Sequence, residues 1–283
     1  MMRRIVLLAP NGQVGFELQR SLAPLGQLFC LSRSDVDFRD TAATSARVLA
    51  LQPDLIVNAA AWTAVDKAET DSDNAYKINR DAVGLLATVC KEHGCKFVHI
   101  STDFVFEGNQ AYPLKEDDAV NPTGVYGDSK LAGEELALRN NPDTLIIRTS
   151  WVYSLFGNNF VKSILRLCKE RESLNVVFDQ VGTPTYARDL AQAIIDIIQQ
   201  PDWKPGIYHY SNEGVASWYD FAVAIRDIAG LKTKLGPIES YQYPTPAVRP
   251  KYSVLNKKKF KDTFGIQIPY WRDSLVACMD SLK

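Results

Sequence analysis

Five short apolar runs, each followed by a polar turn and then a segment of helical period, set out the first half of the chain. They begin near Arg4, Gln27, Leu55, Lys96 and Thr144. Runs that are apolar almost without interruption read as strands buried on both faces, unlike the in-out alternation of a sheet with one wet side. Between them lie amphipathic stretches. Val14, Leu18 and Leu22 share one face after the first run, and further helices are expected after Thr41, Asn74, Thr123 and Asn158. Strand and helix in alternation predict a right-handed, doubly wound parallel sheet of the α/β class. Beyond RTSWVYS the pattern is less regular. DLAQAIIDIIQQ carries Leu190, Ile194, Ile195 and Ile198 on one face and reads as a helix returning to the sheet. The expected division is a first domain over 1–150, joined by 186–211, and a smaller C-terminal substrate lobe assembled from 151–185 and 212–283. In that lobe YQYPTPAVRPKYSVL, rich in proline and aromatics, has the composition of a binding loop.

Composition narrows the class. A chain of 283 residues with 46% hydrophobic content can bury a full core. A net charge of -1 gives no electrostatic footprint for nucleic acid. Lys257 to Lys259 read as a solvated helix start. No run reaches the roughly 18 apolar residues of a membrane span. MMRRIVLLAP is short in its apolar part and flows into a glycine turn, so it reads as the first strand rather than a signal peptide. Five cysteines without C-x-x-C spacing argue against a disulfide framework or structural zinc. His93, His99 and His209 form no ligand pattern, and His99 reads as a satisfied core residue. A soluble, cytoplasmic protein is expected.

Candidate chemistry begins at the first turn. Gly12, Gln13, Val14 and Gly15 lie between a strand and a helix, where backbone N–H groups can approach a pyrophosphate at the helix's positive end. The spacing is A-x-x-G-x-x-G, with Ala9 in the place of a first glycine. After the second run come Ser32 and Arg33; an arginine there can pair with the 2'-phosphate of NADP, where an acidic residue would hold the free hydroxyl of NAD. NADPH is therefore favoured, with NADH the alternative. Asp37 and Phe38 follow as candidates for the adenine side, although Asp37 could equally be an ordinary loop carboxylate. Asn58, Ala59, Ala60 and Ala61 end the third run with small residues beside which a cofactor could lie. Ser101, Thr102 and Asp103 end the fourth, at the sheet edge where open α/β folds bind ligands. Tyr126 and Lys130, four apart in NPTGVYGDSKLAGEE, share a helix face. A cation near a phenol favours the phenolate, so the pair is expected to exchange a proton near neutrality.

This set, with A-x-x-G-x-x-G, NAAA, STD and Y-x-x-x-K in order, resembles the extended short-chain dehydrogenase/reductase family, and with it a Rossmann-like fold. NAAAWTAVDKAE, STDFVFEG, RTSWVYS, GNNFV, DQVGTPT and RPKYSVL are similar to its branch of nucleotide-sugar C4 ketoreductases. The resemblance implies an NADPH-dependent reduction of dTDP-4-dehydro-L-rhamnose, with Thr102, Tyr126 and Lys130 catalytic. It implies that Lys130 also touches the nicotinamide ribose and that Asn79 orders a proton path behind it. Trp151 offers a face to the sugar or base, Asn159 and Gln180 lie in matching segments, and Arg249 suits the diphosphate of the dTDP-sugar. Some relatives resemble a metal-bridged dimer; Glu17 matches one acidic position but Arg188 replaces another, so bridging magnesium is not expected, while a homodimer stays open. An epimerase or dehydratase on the same scaffold, and a non-catalytic NADP-binding subunit, remain alternatives.

Overall fold

The computed structural model describes residues 2–282. The five apolar runs form β1 (Arg4–Leu8), β2 (Gln27–Leu31), β3 (Leu55–Asn58), β4 (Lys96–Thr102) and β5 (Leu145–Thr149). Later strands are β6 (Val152–Tyr153), β7 (Ser173–Val177), β8 (Val181–Gly182), β9 (Thr185–Tyr186), β10 (Gly206–His209), β11 (Ala216–Ser217) and β12 (Lys234–Ile238). β10, β5, β4, β3, β1 and β2 lie side by side in that order, all pairs parallel. From β1 the chain steps first to β2 on one side and then to β3 on the other. That reversal opens a crevice above the carboxyl ends of β1 and β3.

The helices are α1 (Gln13–Leu22), α2 (Thr41–Leu49), α3 (Val65–Ala68), α4 (Ser72–Tyr76), α5 (Ala82–His93) and α6 (Val125–Asn140). They continue with α7 (Phe160–Glu170), α8 (Ala187–Ile198), α9 (Trp218–Ile228), α10 (Lys258–Phe264) and α11 (Trp271–Asp280). The doubly covered sheet explains the unbroken apolar runs: Ile5 and Leu7 point into a cluster with Leu18 and Leu22 of α1 and Leu190 and Ile194 of α8. Their neighbours Val6 and Leu8 point the other way, to Val48 of α2, Leu86 of α5 and Ala137 of α6. Alternation exists in direction but not in polarity, because both sides are dry.

A third cluster joins Tyr153, Val161, Phe221, Ile225, Trp271 and Leu275 from α7, α9, α11 and the short strands. One segment departs from the expected division. Phe260 and Phe264 of α10 belong to the sheet-side cluster, their rings 5.2 and 4.7 Å from Tyr210 and Tyr208. An apolar helix face beside the last sheet strand has more to gain there than in the lobe. Lys257, expected to be solvated, is buried; its Nζ donates to the Asn212 carbonyl at 3.2 Å and lies 3.5 Å from Glu213.

Candidate active site

The crevice is a cleft of about 820 Å³. Its floor begins at the turn after β1. Ala9 holds φ 56°, the left-handed region that glycine adopts freely, which explains the glycine usual at that place. Gly15 follows because no side chain fits: a Cβ would stand 2.0 Å from the Ala9 carbonyl oxygen. Gly12, the N-cap of α1, supplies no side-chain cap, so the first turn of the helix presents backbone donors to the cleft. Gln13 lines the wall with its side chain engaged, its Oε1 accepting from Asn159 Nδ2 at 3.0 Å.

Ser32 and Arg33 reach the cleft from the end of β2. The nearby carboxylate of Asp35 is turned to Ser32, accepting from its backbone N–H at 2.8 Å and its hydroxyl at 2.6 Å. These hydrogen bonds hold the Asp35 carboxyl below its usual range. Two residues expected on the adenine side lie elsewhere. Asp37 is paired with Arg39 at 2.6 Å, which pulls its acid down to about 2, and Phe38 is packed in the core beside Leu31 and Val36. Neither side chain lines the cleft.

Ala59 and Ala61 line the cleft, whereas Ala60 packs into the core and Asn58 is buried behind the wall. Asn79 is also behind it, in a π-helical turn over Lys77–Asp81. Its Oδ1 accepts from Trp62 N at 2.8 Å and its Nδ2 donates to Ser129 Oγ at 3.0 Å, tying that turn to α6.

Thr102, Asp103, Tyr126 and Lys130 converge on one part of the cleft. α6 approaches the β4 end closely, since a Cβ on Gly127 would sit 2.2 Å from the Phe104 carbonyl oxygen. The Tyr126 ring meets Phe104 edge-on at 5.4 Å, and Thr102, whose Oγ1 donates to Asp103 Oδ1 at 3.1 Å, lines the same part of the cleft. Lys130 is fully buried, its Nζ 2.7 Å from the Ile100 carbonyl and 3.1 Å from His99 Nε2. The expected lowering of the phenol is reversed. Burial pushes Tyr126 up to about 12, aided by the Asp103 charge and opposed by the Thr102 hydrogen bond. Burial likewise brings Lys130 down to about 8, against the pull of Glu134. Desolvation outweighs the mutual influence of the pair. Tyr126 is thus a protonated phenol at neutral pH, the form that can donate.

The substrate-side candidates are placed differently. Trp151, at φ 46°, lines the cleft and lies flat on Trp218 at 3.6 Å with 7° between planes. Asn159 caps α7, its Oδ1 accepting from Lys162 N at 3.1 Å and its Nδ2 donating to Ser154 O at 2.7 Å. Gln180 donates to Ser240 Oγ at 3.0 Å and does not line the cleft. Arg249 grips the Asp66 carboxylate with two nitrogens, at 2.9 and 3.2 Å.

Sequence reasoning missed Asn11, Thr63, Thr149, Ser150, Gly157 and Asn158, all at the cleft. Thr149 and Ser150 end β5, and their place after an apolar run was the available signal. The others come from loops whose approach no local pattern announces. A second hollow of about 670 Å³, near Lys115 and Asp262, shares no residue with the cleft. Glu17 is buried, with Ser154 Oγ donating to it at 3.3 Å, and burial raises its acid. Among the described residues no group of three or more His, Cys, Asp or Glu is placed to hold a metal ion, and no helix is long and apolar enough to cross a membrane.

The model of the family described as RmlD substrate binding domain matches residues 2–283. A dTDP-4-dehydrorhamnose reductase of Salmonella typhimurium is 44% identical over 280 residues, 94% of this chain and 94% of the relative. A spore coat polysaccharide biosynthesis protein of Bacillus subtilis is 40% identical over 275 residues, 97% of this chain and 96% of the relative. The crystal structure of a dTDP-4-dehydrorhamnose reductase from Bacillus anthracis in complex with NADP superposes with a TM-score of 0.95 at 35% identity, covering 99% of this chain and all of the other.

Proposed function

The chain belongs to the RmlD substrate binding domain family, and from that membership we propose that it reduces the C4 ketone of dTDP-4-dehydro-L-rhamnose to dTDP-L-rhamnose with NADPH. The observation that carries the reading is the meeting of Thr102, Tyr126 and Lys130 in the same cleft as the open amino end of α1. The residues fit the cofactor. The first turn of α1 suits the pyrophosphate, and Arg33 suits a 2'-phosphate. The carboxylate nearest to compete for a ribose hydroxyl, Asp35, is held by Ser32. When bound, the reduced nicotinamide supplies a hydride to the carbonyl carbon.

The chain's own residues supply the rest. Thr102 holds the carbonyl oxygen, and Tyr126, kept protonated by burial, donates the proton that completes the alcohol. Lys130 orients the nicotinamide ribose from beside Tyr126. Arg249 takes the diphosphate and in doing so releases or shares Asp66, while Trp151 offers the face not covered by Trp218.

The test follows nicotinamide absorbance with dTDP-4-dehydro-L-rhamnose and either NADPH or NADH. Stoichiometric consumption of NADPH is expected; conversion without net consumption would point to an epimerase instead. In Tyr126→Phe, kcat should fall by on the order of 10² to 10⁴ with NADPH binding retained. Undiminished turnover would remove Tyr126 from the mechanism.

A further inference from the structure

Trp151 sits in a backbone conformation that its size does not favour. Its φ of 46° lies in the left-handed region, which a bulky side chain enters only where its surroundings hold it there. Strand pairing holds the backbone: the Thr185 N–H donates to the Trp151 carbonyl at 3.1 Å, and Val152 is in register with Thr185. The ring is held separately. Trp218 lies flat against it, and Gly182 stands so near the six-membered part of the indole that a Cβ there would be 2.7 Å from Cε2 and 2.9 Å from Cζ2. Near-parallel rings with centroids 3.6 Å apart are close to a face-to-face sandwich, the arrangement that ring quadrupoles favour least. The slot around the pair, rather than the pair's own attraction, sets the geometry.

Trp218 is built as a fixed support. It opens α9 directly after the Ser217–Asp220 capping box, and the Phe160 ring braces it at 4.7 Å. β11, which ends at Ser217, pairs with β8 so that Ala216 stands opposite Gly182; both sides of the slot therefore come from one two-stranded ribbon. Of the two indoles only Trp151 lines the cleft. We propose that Trp218 is a positioning residue for the reaction: with Gly182 it fixes the plane of Trp151 before the substrate arrives. The inference deepens the reductase reading, in which Trp151 faces the sugar. An indole free to turn has to be ordered by the substrate, at the expense of affinity. Trp151 exchanges neither hydride nor proton, so the loss falls on binding shared by the ground and transition states.

Trp218→Leu keeps an apolar contact but no plane. KM for dTDP-4-dehydro-L-rhamnose should rise roughly three- to tenfold, with kcat nearly unchanged and NADPH affinity unaltered. Trp218→Phe restores a flat ring and should recover most of that rise. Gly182→Ala crowds the same indole with Trp218 intact and should raise KM by a like factor. A Trp218 that served packing alone would lower stability and leave KM of the folded enzyme native. A native KM in Trp218→Leu thus overturns the proposal, as does a fall of kcat and NADPH affinity alongside it; should that variant not fold, a native KM in Gly182→Ala overturns it. Circular dichroism adds a readout that needs no turnover. The native protein should show the exciton couplet of two stacked indoles, identified by its loss in Trp218→Phe, and a native protein without one overturns the proposal. A couplet in a protein that reduces no nucleotide sugar would count against the reductase reading alone.

Discussion

Asp103 is 2% exposed beside Thr102, and burial lifts its acid to about 6 against the opposing hydrogen bonds of Ser253 and Thr102. The folded protein therefore binds a proton there more tightly than the unfolded chain, whose value lies near 3.8. Stability falls as pH rises between those two values, and the deficit is complete above the folded one. Asp103→Asn removes the charge and nearly keeps the shape. Urea unfolding at pH 7 should show a gain on the order of 1 to 3 kcal/mol that fades toward pH 4. An unchanged midpoint at neutrality would mean the carboxylate is compensated. Thr102, Tyr126 and Lys130 were legible as a set because strand end and helix face can be read from spacing. The direction of the Tyr126 shift was not, since burial belongs to the fold and not to the spacing. Phe38 shows the same limit: an aromatic after a strand tip could face adenine or core, and only the packing decides.

α6 is held to the sheet by a charged clasp. Arg148 of β5 and Glu134 of α6, with side chains 3% and 2% exposed, make three hydrogen bonds of 2.7 to 3.1 Å, and the guanidinium lies 5.1 Å from the Phe106 ring centre. Removing one partner strands a buried charge, which typically costs about 3 to 5 kcal/mol. Glu134→Gln should show a loss of that size in denaturant unfolding, and the apolar pair Glu134→Leu with Arg148→Met should recover much of it. A single variant within about 0.5 kcal/mol of the native protein would show that water reaches the pair. At this scale β1 to β5 and the helices α1, α2, α6, α7 and α8 followed from apolar periodicity, whereas the later strands, β10 of the main sheet among them, did not. The π turn at Lys77–Asp81 did not, because YKINRD carries no mark of it. It is set from outside, by Trp62 on the Asn79 amide and by α6, where a Cβ on Gly133 would stand 1.9 Å from the Asn79 carbonyl oxygen. The attachment of α10 to the sheet was hidden for a like reason: two phenylalanines can serve either side.

Across the whole molecule, the proline-rich loop of residues 243–250 is fastened to α3 by one bidentate pair. Arg249 and Asp66 are 183 positions apart in sequence, and the Ala247 N–H adds a bond to the same carboxylate at 3.2 Å. Arg249 holds the Asp66 carboxyl below its usual range. The side chains are 27% and 42% exposed, so global stability should change by no more than about 1 kcal/mol in Asp66→Asn. Local order should change more. Amide hydrogen exchange over 243–250 is expected to quicken in that variant with the rest of the chain unaffected; equal exchange would mean that the prolines alone hold the loop. The doubly wound sheet could be read from the chain because each connection is local. The contact of residues near 66 with those near 249 could not, as nothing along the sequence measures the distance between them in space.

Ala9 bends to φ 56° with a methyl group in the way. The left-handed turn is strained by roughly 1 to 2 kcal/mol relative to glycine, yet it has far fewer shapes to choose from when unfolded. The bend is also tied at both ends, the Ala9 N–H donating to the Leu31 carbonyl at 2.9 Å and the Ala9 carbonyl accepting from the Gly12 N–H at 3.2 Å, so a guest meets a shape already pinned to the neighbouring strand.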